Sequence, residues 1–356
     1  MGETINLDSK YAKKVQQAFT EGSLVQGRLE NDLEFVGAKT VKVHTVVTVP
    51  LNDYKRSGAN RYGVPKEVED FVQELTMKED KAFSTTIDKG NSKDQAINKA
   101  GQFLALEMKE QVVPYKDRYT LKKLAQEAGK TAGYTEKITE ENVVRRMSEA
   151  RAYMKNNRVP LKGRTWYVTT EVYNALLAVE KQFVGIEKLV QKSFVNGQVG
   201  MIFGAPVVEV PDDLMPEGVN FMLVHKSAAC APAKISDSKL HMDPPGISGN
   251  LCEGRFYFDV FVFGAKAAGI YVDVDAAAAT VLEAPVINAA TGAIKAAEGC
   301  SVRYTLDGSD PRYSVSAQTG PTAVGGKKGD TVKACQEKEG CYRSGVSEVK
   351  LTADIA

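Results

Sequence analysis

The sequence predicts an α+β fold followed by a separate all-β module, and three observations carry that expectation. Apolar residues recur at helical spacing in two stretches: Ile97, Ala100, Leu104 and Met108, then Val143, Met147, Ala150 and Met154. Strand-like runs lie before, between and after them, from Thr40–Thr48 to the apolar RFYFDVFVF of Arg255 to Phe263. Composition then changes abruptly at DAAAAT, residues 275 to 280, beyond which the chain consists of short β-prone runs separated by Gly, Asp and Pro turns.

The first 40 residues are charged, with only sparse apolar pairs, and read as an arm lying on another surface. Thr40–Thr48 alternates with period two and predicts a strand; Asp80–Asp88 is a second extended candidate. The intervening NDYKRSGANRYGVPKEVED is too long for a tight hairpin and too polar for a core. The whole of 40–91 is therefore read as a protruding two-stranded loop with a charged tip. Ser92 and Gln95 form a capping box for the next helix, and Pro114 should kink or stop it. The Thr139 hydroxyl is expected to cap a further helix, with Glu140 and Glu141 in its first turn. Thr165–Val168 reads as a strand, Val172 to Leu177 as a short helix, Gly200–Val210 as a turn and strand, and Phe221–His225 as a buried strand. Tyr271–Val274 continues in extended form.

With 356 residues the chain can form two or three domains with buried cores, and its net charge of +1 marks no global nucleic-acid or membrane-surface binder. No apolar run approaches the about 20 residues of a membrane helix, so a soluble, cytoplasmically made chain without membrane partners is expected. Five cysteines form no CxxC pair, and three scattered histidines lack metal spacing, so no metal site is expected. Gly200 and Gly204 suit turns and not a phosphate loop, because neither GxGxxG nor a Lys-Ser/Thr ending is present. Trp166, Tyr167 and Tyr173 read as core aromatics. Asp259, an acid in an apolar strand, needs a partner, and Arg255 is the expected one. No catalytic residue and no cofactor is assigned.

QVVPYKDRYTLKKLA, residues 111 to 125, closes a long amphipathic helix and resembles the end of the spine helix in major capsid proteins of tailed phages. GRTWYVTTEVYNALL at 163–177, VGMIFGAPVVEVP at 199–211 and GRFYFDVFVF at 254–263 come in the order and spacing of that Hong Kong 97-like family. Over about residues 1–274 the resemblance implies an N-terminal arm (1–39), an extended loop (40–91), a peripheral domain with the spine helix (92–124 and 246–274) and an axial domain (125–245). It implies a non-enzymatic chain that self-assembles through hexamers and pentamers into an icosahedral shell around double-stranded DNA, held non-specifically. It also implies portal and scaffolding partners and assembly in a bacterial host cytoplasm. In that setting the charged loop tip, with Asp53, Lys55, Arg56, Arg61, Lys66 and Glu67, meets a neighbouring subunit. An encapsulin-like nanocompartment shell is the alternative within the same fold.

VRYTLDGSDPR, residues 302 to 312, resembles the small immunoglobulin-like domain that ends chitobiase and related sugar-processing enzymes. Residues 281–356 are accordingly expected to form an immunoglobulin-like decoration that sits beyond a flexible linker, is dispensable for the shell and can hold a surface glycan. A carbohydrate-binding accessory protein is the alternative from this motif. Cys300, Cys335 and Cys341 allow one disulfide, or remain reduced buried thiols.

Overall fold

The structure is a computed structural model, which describes residues 22–30, 39–46, 51, 53–62, 64, 67, 70–89, 100–182, 198–320 and 323–355. In chain order the first strands are β1 (Thr40–Val46), β2 (Asp70–Thr76) and β3 (Glu79–Asp88). Helix α1 (Ala100–Glu107) continues through a π-helical stretch, Met108–Val112, into α2 (Val113–Gln126). β4 (Lys130–Tyr134), α3 (Val143–Asn156), β5 (Arg164–Thr169), α4 (Thr170–Gln182), β6 (Gln198–Ile202), β7 (Ala205–Val210) and β8 (Val219–His225) alternate after it. Short β9 (Ala229–Cys230) precedes β10 (Ala233–Met242), β11 (Gly249–Phe258), short β12 (Phe261–Val262) and β13 (Ile270–Asp275). Six short strands end the chain: β14 (Val286–Ile287), β15 (Ile294–Lys295), β16 (Ser301–Thr305), β17 (Gln318–Thr319), β18 (Thr331–Glu337) and β19 (Ser347–Lys350).

The chain divides into two compact units, one of Met1–Gly37, Met77–Val262 and Ala268–Ala279, the other of Ala38–Thr76, Phe263–Ala267 and Thr280–Ala356. The first holds a six-stranded mixed sheet in the order β4-β13-β8-β5-β7-β6 and a three-stranded antiparallel sheet in the order β10-β11-β3. Val143, Met147, Ala150 and Met154 form the buried stripe of α3, packed with Trp166, Val172, Leu176 and Phe221. Trp166 meets Phe221 edge-on at 5.7 Å and donates its indole N–H to the Ile202 carbonyl at 3.1 Å. Burial of such aromatics contributes a few kcal/mol each, on the order of 25 cal/mol per Å². Arg146 of the same helix and Asp273 form a fully buried ion pair, which Asn220 completes at 2.8 Å. A buried pair of this kind is tolerated only because its polar atoms are hydrogen-bonded.

Several local expectations change. The helix does not end at Pro114: the Val113 N–H bonds back five residues to Met108, and Pro114 falls at the start of α2. A π turn shifts the carbonyl register ahead of the proline, so its missing N–H interrupts nothing downstream. The Ser92–Gln95 capping box lies outside the described residues. At α3 the Thr139 carbonyl, not its hydroxyl, takes the Asn142 and Val143 N–H groups at 3.3 and 3.0 Å. RFYFDVFVF is not one strand, because β11 stops at Phe258 and Asp259 turns its carboxylate inward. Asp259 accepts from the backbone N–H of Lys78 (2.8 Å) and Val260 (2.8 Å) and from the Tyr119 hydroxyl (2.7 Å). Arg255, its expected partner, instead pairs bidentately with Asp80 at 3.0 and 2.6 Å, which holds the Asp80 carboxyl below its usual range.

The N-terminal stretch is integrated from Gly22 to Glu30, where Leu24, Val25 and Leu29 are buried. Asp117 of α2 anchors it, accepting from the Ser23 hydroxyl at 2.6 Å and the Leu24 N–H at 2.7 Å. DAAAAT folds as a turn, because the Asp275 carboxylate accepts the Ala277 N–H at 2.9 Å and its carbonyl accepts the Ala278 N–H at 3.1 Å.

In the second unit, residues from Thr280 onward form a four-stranded antiparallel sheet, β17-β16-β18-β19, and the ladder β14-β15. Their own core contains Ile287, Ile294, Val302, Tyr304, Val332 and Leu351. LDGSDPR is a closed polar turn in which Asp307 accepts from Ser309 and Ser316, and Asp310 pairs with Arg312. None of the five cysteines is joined in a disulfide, and burial pushes the Cys335 thiol up to about 11.

Candidate assembly surface

β1 is a strand because half-buried Val41, Val43 and Thr45 alternate with exposed Lys42, His44 and Val46, but its partner is not the expected one. The second strand of the arm is β2, antiparallel, with Thr40 beside Thr76 and Val46 beside Asp70. Asp80–Asp88 belongs instead to β3, which pairs along its length with β11. In sequence DFVQELT merges with the polar tip, because its charges mask the alternation of Phe71, Gln73 and buried Leu75. Thr40 and Thr76 hydroxyls meet at 2.8 Å across the arm, and His44 reaches Asp70 at 2.6 Å. The middle of the β1–β2 ladder is held within the same unit, where the Val315 N–H bonds to the Val72 carbonyl at 3.0 Å and the Gly264 N–H to the Gln73 side chain at 2.9 Å.

The described part of the tip turns back on itself. The Lys55 N–H donates to the Arg61 carbonyl at 2.9 Å, closing a small loop. Gly58 and Asn60 turn it with φ of 88° and 54°, a region open to Gly and tolerated by Asn. The Arg61 Nε donates to the Gly58 carbonyl at 3.3 Å, and Tyr54 meets Tyr62 edge-on at 5.1 Å.

Of the six charged residues assigned to the tip, Asp53, Lys55, Arg56, Arg61 and Glu67 are exposed, and Lys66 lies outside the described residues. The closed loop brings Lys55 and Arg61 together through their backbones. Asp53, Lys55, Arg56, Arg61 and Glu67 make no ion pair with one another among the described residues. Sequence reasoning missed the apolar half of the surface. Leu51, Tyr62 and Val64 are 101%, 84% and 71% exposed, and Tyr54 is 53% exposed. The signal was the placing of two tyrosines about a glycine, which a search limited to charges passes over. Exposed apolar groups clustered on one projection are costly in a free chain and typical of surfaces that bind proteins.

Chemistry elsewhere is sparse. Among the described residues no group of three or more His, Cys, Asp or Glu side chains could hold a metal ion. No described helix is long and apolar enough to cross a membrane. His225 is structural, with Nε2 on the Lys162 carbonyl at 3.0 Å and Nδ1 accepting the Ser227 N–H at 3.2 Å.

No protein-family model matches the sequence, and no curated protein matches it. Solved structures do match in fold. The capsid structure of cyanophage P-SCSP1u aligns with a TM-score of 0.59 at 11% identity, over 75% of this chain and 92% of that one. The bacteriophage PhiM1 mature capsid aligns with a TM-score of 0.56 at 14% identity, over 76% and 92%. A structure from Mycobacterium phage Che8 gives 0.56 at 16% identity, over 75% and 96%. At these identities the likeness is one of architecture, and it spans nearly the whole of each neighbour. Three quarters of the chain therefore has the fold of the phage capsid structures it aligns with.

Proposed function

We propose that the chain is a major capsid protein that self-assembles, through hexamers and pentamers, into the icosahedral shell of a tailed double-stranded DNA phage. The observation that carries this reading is the alignment over more than nine tenths of the PhiM1 and P-SCSP1u capsid chains. Two features of the chain support it. A two-stranded arm presents exposed charges and exposed aromatics with no core to bury them. A helix passing through Pro114 without a break supplies a continuous strut. On this reading the action is assembly, with no catalytic residue and no cofactor. The loop tip seats on an adjacent subunit, residues 125–245 gather about the local axes, and portal, scaffold and packaged DNA are the further partners.

Residues 281–356 are proposed as an immunoglobulin-like decoration able to hold a surface glycan, supported by their separate core and the LDGSDPR turn. Negative-stain microscopy with sedimentation of the full-length protein tests the main reading. Closed shells, or rings of five and six, are expected; a strictly monomeric protein retained on chitin would replace the reading with a carbohydrate-binding one.

A further inference from the structure

Strand direction sorts the exposed charges of the six-stranded sheet. β5 runs parallel to β7 with Trp166 beside Val207, and β8 runs against β5 with His225 beside Arg164. β13 runs against β8 and parallel to β4. The starts of β4, β5, β7 and β13 and the end of β8 therefore share one end of the sheet. The C-terminal part of α3 returns to the same end, since the Arg151 guanidinium lies 5.4 Å over the Phe203 ring in the β6–β7 turn.

This end is cationic and apolar. Lys130, Arg151, Lys155, Arg158, Lys162 and Lys226 are all exposed there; residues 157–163, 203–204 and 226–228 contain no acid, and the half-buried Glu30, whose N–H bonds to the Lys226 carbonyl at 3.2 Å, is an acid beside them. Among them Leu161, Met201 and Phe203 are 54%, 43% and 36% exposed. Phe203 holds φ of +50° beside Gly204 at +77° in a two-residue hairpin turn, a position that normally takes Asn, Asp or Gly.

The opposite end carries an excess of acids over its exposed base Lys137. Glu140 and Glu141 precede α3, Glu171 opens α4, and Asp212, Asp213 and Glu217 lie in the β7–β8 loop, all exposed. Arg118 neutralises Asp213 at 2.9 Å. One chain thus carries a positive, partly apolar surface and its negative complement at the two ends of one rigid layer.

We propose that these ends are the two halves of a single head-to-tail interface, the cationic apolar end of one subunit seating on the acidic end of a second copy. The inference rests on the self-assembly reading and adds the surface and its polarity. Like ends repel, so a twofold pairing through either end is disfavoured, and the unlike contact is heterologous, closing into a ring where the rotation permits. Double-stranded DNA would also suit the cationic end, but it gives no role to the acidic one.

Charge swapping in the full-length protein tests the inference. One variant carries Lys155→Glu, Arg158→Glu and Lys162→Glu; the other carries Glu141→Lys, Asp212→Lys and Glu217→Lys. By sedimentation velocity each alone is expected to stay monomeric with wild-type circular dichroism. An equimolar mixture, in which unlike ends again face each other, is expected to recover oligomers. Should the triple variants not fold, Arg158→Gln with Lys162→Gln is expected to raise the critical assembly concentration at least several-fold, and an unchanged value would overturn the inference. Assembly of either charge-reversed variant like wild type would overturn it, as would a folded mixture that stays monomeric. Intact assembly of the Lys/Arg variant with loss of retention on double-stranded DNA would replace it with a DNA contact. Wild-type protein that never associates would overturn the self-assembly reading first, and the inference with it.

Discussion

The Tyr119 hydroxyl donates to the buried carboxylate of Asp259 at 2.7 Å, tying helix α2 to the break between β11 and β12. The same carboxylate takes the Lys78 N–H, at the point where the chain enters β3. Burial and the neighbouring carboxylate raise the tyrosine pKa far above its ordinary value, so the hydroxyl stays a donor throughout the accessible range. Tyr119→Phe removes one bond to a charged acceptor and is expected to cost about 1.5–3 kcal/mol. Asp259→Ala orphans the Lys78 and Val260 N–H groups as well as the Tyr119 hydroxyl and is expected to cost more than Tyr119→Phe. Urea unfolding of the isolated subunits measures both; equal costs would mean that Lys78 does not depend on the carboxylate.

Asp117 gives a pH signature. Burial pushes its carboxyl above the ordinary 3.8, against the bonds from Ser23, Leu24 and Val25, which favour the charged form. In the window between 3.8 and the raised value the folded chain holds a proton that the unfolded chain has shed, so this group's contribution falls as pH rises through the window and is level above it. The difference in unfolding free energy between wild type and Asp117→Asn is therefore expected to decline with rising pH just above 3.8 and then to flatten. A difference that stays constant through that window would contradict the burial argument.

Much of this was legible in the sequence where the signal is local and periodic. The α3 stripe of Val143, Met147, Ala150 and Met154 is fully buried, as its spacing required, and the strands at 164–169, 219–225 and 270–275 lie where apolar runs placed them. Pairing was less legible, because period two marks a strand without naming its neighbour. The charges of β2 hide it, which leaves β3 as the apparent second strand of the arm. Polar partners were least legible. Arg255 and Asp259 are four apart in sequence, yet Arg255 pairs with Asp80, and Asp259 with a tyrosine and two backbone amides, a choice that only the tertiary fold makes.

Residues 280–356 are tied to the arm. Separation by an alanine stretch suggests that residues 280–356 are dispensable for assembly, but the Val315 N–H bonds to the Val72 carbonyl in the middle of the arm's ladder. Deleting residues 280–356 is expected to leave a folded first unit, because the described residues of the Trp166–Phe221 core lie between Ala132 and Tyr271. The arm's ladder loses that hydrogen bond, so assembly should weaken. Electron microscopy of the truncated protein decides: normal shells at wild-type concentration would show that the arm needs no such support.

The loop tip separates the contribution of charge from that of apolar area. Exposed ion pairs contribute about 0–1 kcal/mol each, so Lys55→Ala or Arg61→Ala alone should shift assembly little. An aromatic that is desolvated at an interface contributes about 2 kcal/mol or more when truncated. Tyr62 is 84% exposed and meets Tyr54, itself largely exposed, edge-on, so neither ring supports the fold of the free subunit. Tyr54→Ser with Tyr62→Ser is therefore expected to leave the melting temperature of the subunit unchanged while raising its critical assembly concentration more than about tenfold, the factor that 1.4 kcal/mol represents. Sedimentation across a concentration series, with thermal melts of the same samples, gives both quantities. A tip in which the lysine and arginine substitutions weaken assembly more than the tyrosine pair would assign the contact to electrostatics and remove the aromatics from it.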